Sequence, residues 1–411
     1  MLLMFGPLAF GGNDPWMQFV QRIGSLLLFG IWAARQYSRK SIELGANPLL
    51  LPACLLCGVI SAQFVTGLSA YRYATLSAAL NLVPYGVVLL VAGEIFSRRK
   101  RLHDFALTMS VFGFLVALFA IIQDLSHSDR IYWIVKARGI SAAIYGPYAN
   151  HNHYAGLMEM LVPLAGAAAF LESGGKRALM LFATALMAVS IVFSRSRGGM
   201  LGLIVSVIFV CAVLFRMNRR ERAALSVLGI IGIVALFAIL LGNDSVFQRL
   251  AETQDNYRLA IYRDCLRMWT HHPILGFGWG TFSTVYPAYR SFFTDLFVNS
   301  AHNDYLELLV EMGLAGVVLT GWFLFMVFRS AFRKIFDPAD YEGSVLATGV
   351  IAGIVALLAH SALDFNLHVC GNAAIFYALC SAVAVPYRRR LQQIKFTIWE
   401  PEGGMSAEEE A

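Results

Sequence analysis

A histidine stands where an apolar stretch begins: Ala301-His302-Asn303-Asp304-Tyr305-Leu306-Glu307, continuing through Glu311-Met312-Gly313-Leu314. Asn299 and Ser300 are the expected helix cap. The positive end of a helix dipole disfavours imidazolium, so His302 is expected to be neutral and able to take a proton. Two arginines crowd a second place. Ser194-Arg195-Ser196-Arg197-Gly198-Gly199 joins two apolar stretches with almost no loop. Both guanidiniums must then sit at a membrane boundary, either as snorkelling anchors or as an anion site. In the second case the glycines are expected to let backbone approach a ligand while an arginine fork pairs two phosphate oxygens. Arg249, Arg258, Arg263, Arg267 and Arg290 add cations nearby in sequence. Arg263 and Arg267 share a helix face and Arg258 points roughly the other way, and most of these five are expected to be solvated.

Two further clusters carry polar chemistry. Tyr148-Ala149-Asn150-His151-Asn152-His153 opens another apolar stretch. H-x-H can bind a metal, but no Cys or acidic ligand clusters beside it, so no metal site is assigned. His360, Asp364 and His368 are spaced by four at the end of a stretch, where Asp364 can orient an imidazole or cap a helix.

These residues are held by membrane-spanning helices. Of the 411 residues, 58% are hydrophobic and 14% charged, where soluble domains carry roughly a quarter charged. Apolar runs close to the ~20 residues that cross a bilayer recur along the chain. They read as 17–34, 47–64, 74–96, 105–123, 153–171, 178–193, 200–215, 223–241, 303–327, 345–363 and 371–387. A first stretch, residues 1–10, is too short to cross alone and is a tilted half-span or a truncated helix; with it the spans number about twelve. No cleavable signal peptide is expected. The six cysteines, Cys54, Cys57, Cys211, Cys265, Cys370 and Cys380, mostly lie in apolar spans and are expected to pack.

Basic residues orient the spans. Arg35/Arg39/Lys40, Arg98/Arg99/Lys100/Arg101, Lys176/Arg177, Arg216/Arg219/Arg220/Arg222, Arg329/Arg333/Lys334 and Arg388/Arg389/Arg390/Lys395 hold 20 of the 32 Lys and Arg. All six groups fall on one side of the twelve-span scheme, which is therefore cytoplasmic, with both termini inside. Because the net charge of +6 follows topology, it gives no sign of nucleic-acid binding. The expected fold is an all-α polytopic transmembrane bundle with two substantial outer loops. The division runs 1–241 for an N-terminal bundle with its external loop 124–152, 242–301 for a large partly helical periplasmic loop, 302–387 for C-terminal helices, and 388–411 for a cytoplasmic tail. Within the large loop, Leu259, Tyr262, Leu266 and Trp269 lie at helical spacing, predicting an amphipathic helix over 255–270 that His271-His272-Pro273 ends. Gly276-Phe277-Gly278-Trp279-Gly280 follows, then Phe282, Tyr286, Tyr289, Phe292, Phe293 and Phe297, rings suited to sugar faces or to the membrane interface.

His302-Asn303, nine residues, then Gly313-Leu314 resembles the histidine motif of the O-antigen ligase and O-antigen polymerase superfamily. Ser196-Arg197-Gly198, the Arg258 helix followed by Pro273 to Gly278, and Asp364-Phe365-Asn366 are similar too, so the likeness covers about 140–370 in the family's order. It implies a bundle like those of membrane glycosyltransferases of type C and a metal-independent transferase without a cofactor. The implied donor is a glycan on undecaprenyl diphosphate; the acceptor is lipid A–core, another lipid-linked glycan or a protein hydroxyl. The implied place is the bacterial inner membrane, with the active side periplasmic and the bilayer itself as a partner. His302 becomes the general base. Arg197, Arg258 and Arg195 become diphosphate ligands, and Asn303, Asn152, Asp364 and Arg290 support or orient. Ligase, polymerase and protein O-oligosaccharyltransferase share the pattern. A transporter or flippase of an anionic lipid-linked glycan is the other class, distinguished by polar residues near the midplane, whereas the spans here read as nearly free of charge.

The charge scheme predicts the outcome of labelling intact cells with an impermeant thiol reagent. In a background without the native cysteines, Asp255→Cys should label and Arg98→Cys should not; the opposite pattern would invert the topology.

Overall fold

The computed structural model describes residues 1–12, 14–44, 47–136, 143–218, 229, 232, 255–295, 297–387 and 394–397. The stretch 223–241, Arg249 and the tail beyond 397 lie outside the described residues but for those few positions. The architecture is all-α. In chain order the helices are α1 (Leu2–Leu8), α2 (Pro15–Ser38), α3 (Leu50–Thr66), α4 (Arg72–Leu80), α5 (Leu82–Phe96), α6 (Arg99–Leu125), α7 (His151–Leu171), α8 (Gly174–Phe193), α9 (Arg197–Arg216), α10 (Asp255–His271), α11 (Phe282–Val285), α12 (Asp304–Ile335), α13 (Tyr341–His360) and α14 (Cys370–Ala384). Among the described residues, eight helices are long and apolar enough to cross a membrane, counting α4 and α5 together, and α3 and α14 are shorter apolar helices. The chain is thus a multi-pass membrane protein.

Two stretches differ from the simple span scheme. α1 has seven residues and turns straight into α2, so it does not cross. Its Gly6 packs on Gly371 at the start of α14, and the Gly371 amide donates to the Gly11 carbonyl (2.9 Å). The stretch 74–96 breaks at Asn81, whose Oδ1 accepts from Arg22 Nη2 at 2.8 Å. A half-buried arginine needs such an acceptor, and the break supplies it.

Ion pairs and hydrogen bonds gather the basic segments at one end of the bundle. Arg39 pairs with Glu94 (3.6 Å) and Arg99 with Asp340 (2.6 Å), while Lys334 donates to the Val385 carbonyl (2.6 Å). At that end the backbone of Ser41–Leu44 pairs antiparallel with Ile394–Thr397. The other end holds the starts of α7, α9 and α12. Each begins with a side-chain cap: Asn150 Oδ1 takes the Asn152 amide (2.8 Å), Ser196 Oγ the Gly199 amide (3.1 Å), and Asn303 Oδ1 the Tyr305 and Leu306 amides (3.0 Å each). Such caps satisfy amides that a helix start leaves without partners. The cap of α12 is therefore Asn303 rather than Asn299 or Ser300. His302 precedes it with φ of 50°, outside the helix.

α12 is interrupted at Gly313, which has φ 58° and ψ −158°. The Pro273–Gly278 segment inserts there. The Phe277 and Gly278 amides donate to the Val310 and Glu311 carbonyls (3.0 and 2.9 Å), and the Leu314 and Ala315 amides donate to the Pro273 and Ile274 carbonyls (2.9 and 3.0 Å). Gln63 of α3 seals the joint, donating to the Leu275 and Glu311 carbonyls (2.6 and 3.0 Å). A Cβ on Gly313 would stand 2.5 Å from the Ile274 carbonyl. Gly313→Ala should therefore cost about 1–3 kcal/mol through overpacking and strain. Thermal unfolding of the purified protein checks this, and a variant as stable as the parent would show that the joint yields freely.

Candidate functional site

The site lies at the capped end of the bundle, where the segment after α13 meets the segment before α12. The Asp304 amide donates to the Ser361 carbonyl (2.9 Å) and Asn303 Nδ2 to the Ala362 carbonyl (3.0 Å). These bonds bring His302 to Asp364, with Nδ1 3.4 Å from Oδ1. The Phe365 amide donates to the same oxygen (2.9 Å), and the Phe365 ring packs edge-on against His302 (5.2 Å between centroids). Asp364 is buried, and burial alone would raise its carboxyl. The hydrogen bond from His302 and the nearby rings of His153, His302 and His360 outweigh that and hold it well below the usual carboxylate range. A carboxylate at Nδ1 favours the proton on that nitrogen and leaves Nε2 as the acceptor.

α10 packs over this junction. Arg258 Nη1 donates to the Leu363 carbonyl (3.2 Å), one residue from Asp364. Tyr262 Oη donates to the His302 carbonyl (3.1 Å) and lies 3.4 Å from the Ala362 carbonyl. Helix α10 is amphipathic, but its buried face is Ile261, Asp264, Cys265 and Met268, while Leu259 and Leu266 are 64% and 48% exposed. Polar Asp264 holds the inner position because it accepts from Tyr286 Oη (3.1 Å) and the Ser291 amide (3.0 Å). Phe277, Phe282 and Tyr286 complete a small core with that face, so they are not open sugar platforms; Phe293 and Phe297 are exposed.

Arg197 opens α9 at the same end, behind the Ser196 cap. The glycines beside it serve packing rather than ligand approach: Gly198 faces the His360 ring, Gly199 faces Ala155, and Gly202 faces Glu159 and the Ala356 carbonyl, each closer than a Cβ would allow. His360 Nδ1 meets Glu159 Oε1 at 3.1 Å, both fully buried. The spans therefore hold a buried acid paired with a histidine, a fact hidden because Glu159 is a lone acid in an apolar run. Arg195, with φ of 58°, lies 3.8 Å from Asp124. His151 and His153 open α7, and His153 packs edge-on against Phe365 (4.8 Å). Asn152 lies in the first turn of α7. Arg290 donates to the Thr294 carbonyl (3.3 Å) beside a cleft lined by Tyr286, Pro287 and Phe297. None of its bonds is to the His302 junction.

A carboxylate cluster braces the junction from behind. His368 Nδ1 meets Asp304 Oδ1 at 2.8 Å and its Nε2 meets Glu307 Oε1 at 3.2 Å, while Trp279 stacks on the ring. Glu307 Oε2 accepts the Ala301 amide (2.8 Å), and Glu311 accepts the Gly280 and Phe282 amides (2.8 and 2.9 Å). The i, i+3, i+7 spacing of Asp304, Glu307 and Glu311 puts these acids on one helix face, a signal present in the sequence but not used there.

The O-antigen ligase family model matches residues 182–321, about a third of the chain. The matched region holds Arg195, Arg197, Arg258, His302 and the Gly313 joint. On a multi-pass helical membrane protein, this match supports a membrane enzyme of the O-antigen ligase/polymerase type. The match supports assigning the chain to the O-antigen ligase/polymerase family. A search of curated proteins finds no match.

Burial alone would lower His368, but the carboxylates of Glu307, Asp304 and Glu311 push it up to about 10. A raised folded value means stability fully present below the unfolded value of ~6.5 and lost as pH rises through the folded one. The apparent melting temperature should fall between pH 8 and pH 10.5, and His368→Gln should flatten that limb. Asp364 has the opposite sign: its contribution is present above ~4 and lost on acidification. An unchanged alkaline limb in His368→Gln would remove His368 as its source.

Proposed function

We propose that the protein is a membrane glycosyltransferase that moves a glycan from an undecaprenyl-diphosphate donor to an acceptor hydroxyl, as an O-antigen ligase or surface-polysaccharide polymerase. The reading rests first on one observation: the His302 ring is held by Asp364 while the Arg258 guanidinium sits on the neighbouring Leu363 carbonyl. A histidine and a cation are thus each tied to the same short segment, Leu363-Asp364. The chemistry needs both, because a proton must leave the attacking hydroxyl as negative charge grows on the leaving group.

In this reading Nε2 of His302 takes the proton of the acceptor hydroxyl. The hydroxyl oxygen forms a bond to the anomeric carbon, and the bond from that carbon to the diphosphate oxygen breaks, its electron pair leaving with the lipid diphosphate. One displacement inverts the anomeric centre, and no metal or cofactor is invoked. Asp364 keeps the ring oriented and stabilises the imidazolium as it forms. Arg258 and Arg197 present planar forks to the diphosphate, each contact worth ~3 kcal/mol in the transition state by analogy with oxyanion donors. Arg195 stands at the border of that anion site. Asn303 and Tyr262 keep the His302 backbone in place, and Asn152 and Arg290 serve the acceptor side. The site faces the periplasm of a bacterial inner membrane, which the clustering of basic segments at the opposite end supports. Lipid A–core or a second lipid-linked glycan supplies the acceptor.

Single-turnover transfer with purified protein, lipid-diphosphate oligosaccharide and acceptor tests the assignment. His302→Ala should bind donor normally and lose about 10²–10⁴-fold in transfer. His302→Gln, which keeps size but cannot take a proton at working pH, should be equally poor. Asp364→Asn should lose rate with an altered acid limb. A Gln variant near the parent rate would leave His302 as a positioning group and overturn the base assignment.

A further inference from the structure

A polar pocket lies beside the proposed anion site. Its walls are the end of α6 with Asp124, the following turn with His127 and Asp129, the Tyr145-Gly146 turn, and Arg195. The volume is about 320 Å³, at the lower end of the ~300–1,000 Å³ found for small-molecule sites. The walls are fixed by bonds of their own. Gln123 joins two of them, its Nε2 donating to the Gly146 carbonyl (3.3 Å) and its Oε1 accepting the Tyr132 amide (3.2 Å). The Tyr145 ring is pinned edge-on by Tyr154 (4.7 Å), which hydrogen-bonds Ser190 (2.7 Å).

Two features of this pocket point to a ligand. Tyr145 is only 3% exposed, yet its hydroxyl has no hydrogen-bond partner. A buried hydroxyl in that condition is costly unless something completes it. Tyr145 also lines the pocket, together with Asp124 and Arg195. Arg195 Nη2 and Asp124 Oδ2 face each other at 3.8 Å, an ion-pair separation too long for a hydrogen bond. Each therefore keeps hydrogen-bonding capacity for a third group. The lining carries two carboxylates, Asp124 and Asp129, against one guanidinium. An anion such as a phosphate is repelled by that balance; a neutral ring rich in hydroxyls can donate to the carboxylates and accept from Arg195 and Tyr145.

We infer that this pocket is a subsite for a neutral sugar ring of a glycan substrate, bracketed by Asp124 and Arg195 and completed by the Tyr145 hydroxyl. The inference rests on the transferase reading for which substrate carries the sugar. It places Arg195 on the glycan side of the border.

The test uses the full chain in nanodiscs and lipid-free hexose oligosaccharides (glucose, galactose and mannose series, up to millimolar), with binding read by saturation-transfer NMR. The parent should bind at least one series. Tyr145→Phe and Asp124→Asn should each weaken that binding about 3- to 10-fold, the loss of one or two hydrogen bonds. Tyr145→Phe should melt at or above the parent temperature, since it removes an unpartnered hydroxyl; a purely structural role predicts a lower one. In transfer assays a KM rise for the acceptor alone assigns the subsite to the acceptor glycan, and a rise for the donor alone to the donor glycan. Failure of every series to bind the parent, or parent-like binding by both variants, would overturn the subsite. Tyr145-dependent binding by a protein that performs no transfer would sink the transferase reading and leave the subsite standing.

Discussion

The insertion of the Pro273–Gly278 segment into the break of α12 is the constraint on which the rest of this end of the molecule depends. A helix interrupted inside an apolar bundle leaves carbonyls and amides without partners, which is costly where water is absent. Here the loop's own backbone supplies them, with Gln63 closing the remainder. The exchange works only because Gly313 and Gly276 lack side chains at the crossing. Its consequence is positional. The inserted segment follows α10 directly, so fixing it to α12 brings α10, with Arg258 and Tyr262, down onto the loop that carries His302.

The electrostatics follow the same division. Behind the His302 loop, Asp304, Glu307 and Glu311 face inward and are satisfied by backbone amides and by His368. That arrangement braces the loop without competing for its open side. In front, Asp364 offers one oxygen to His302 while its other, buried oxygen has no hydrogen-bond partner. A carboxylate so placed stabilises positive charge on whichever ring adjoins it. It has His302, His153 and His360 within reach. The Glu159–His360 pair beneath it joins α7 to α13, and the glycines of α9 close over that pair. The start of α9, with Arg197, therefore takes its place from a buried Glu–His hydrogen bond in neighbouring helices.

Much of this was legible in the residues alone. Apolar length and the alternation of basic segments define the spans and gather the cations at one end, because the cost of burying charge in hydrocarbon acts on every helix separately. The helix over 255–271 was legible too, since Pro273 and the periodicity that precedes it are local signals. Which face of that helix turns inward was not. Leu259 and Leu266 read as the apolar side, but Asp264 is drawn in by Tyr286 and the Ser291 amide, partners more than twenty residues away. The glycines after Arg197 were misread for the same reason: their neighbours, His360, Glu159 and Ala155, are remote in the chain.

The sequence by itself determined the class of molecule, an all-α multi-pass membrane protein, because the lengths of its apolar runs are set by the bilayer. Tertiary structure alone decided that Gly313 is a docking joint, and that Asp364 meets His302 while Arg195 meets Asp124. Those outcomes depend on which helix ends are brought side by side. Contacts between residues so far apart in the chain are set by helix packing, and composition, periodicity and spacing carry no direct record of it.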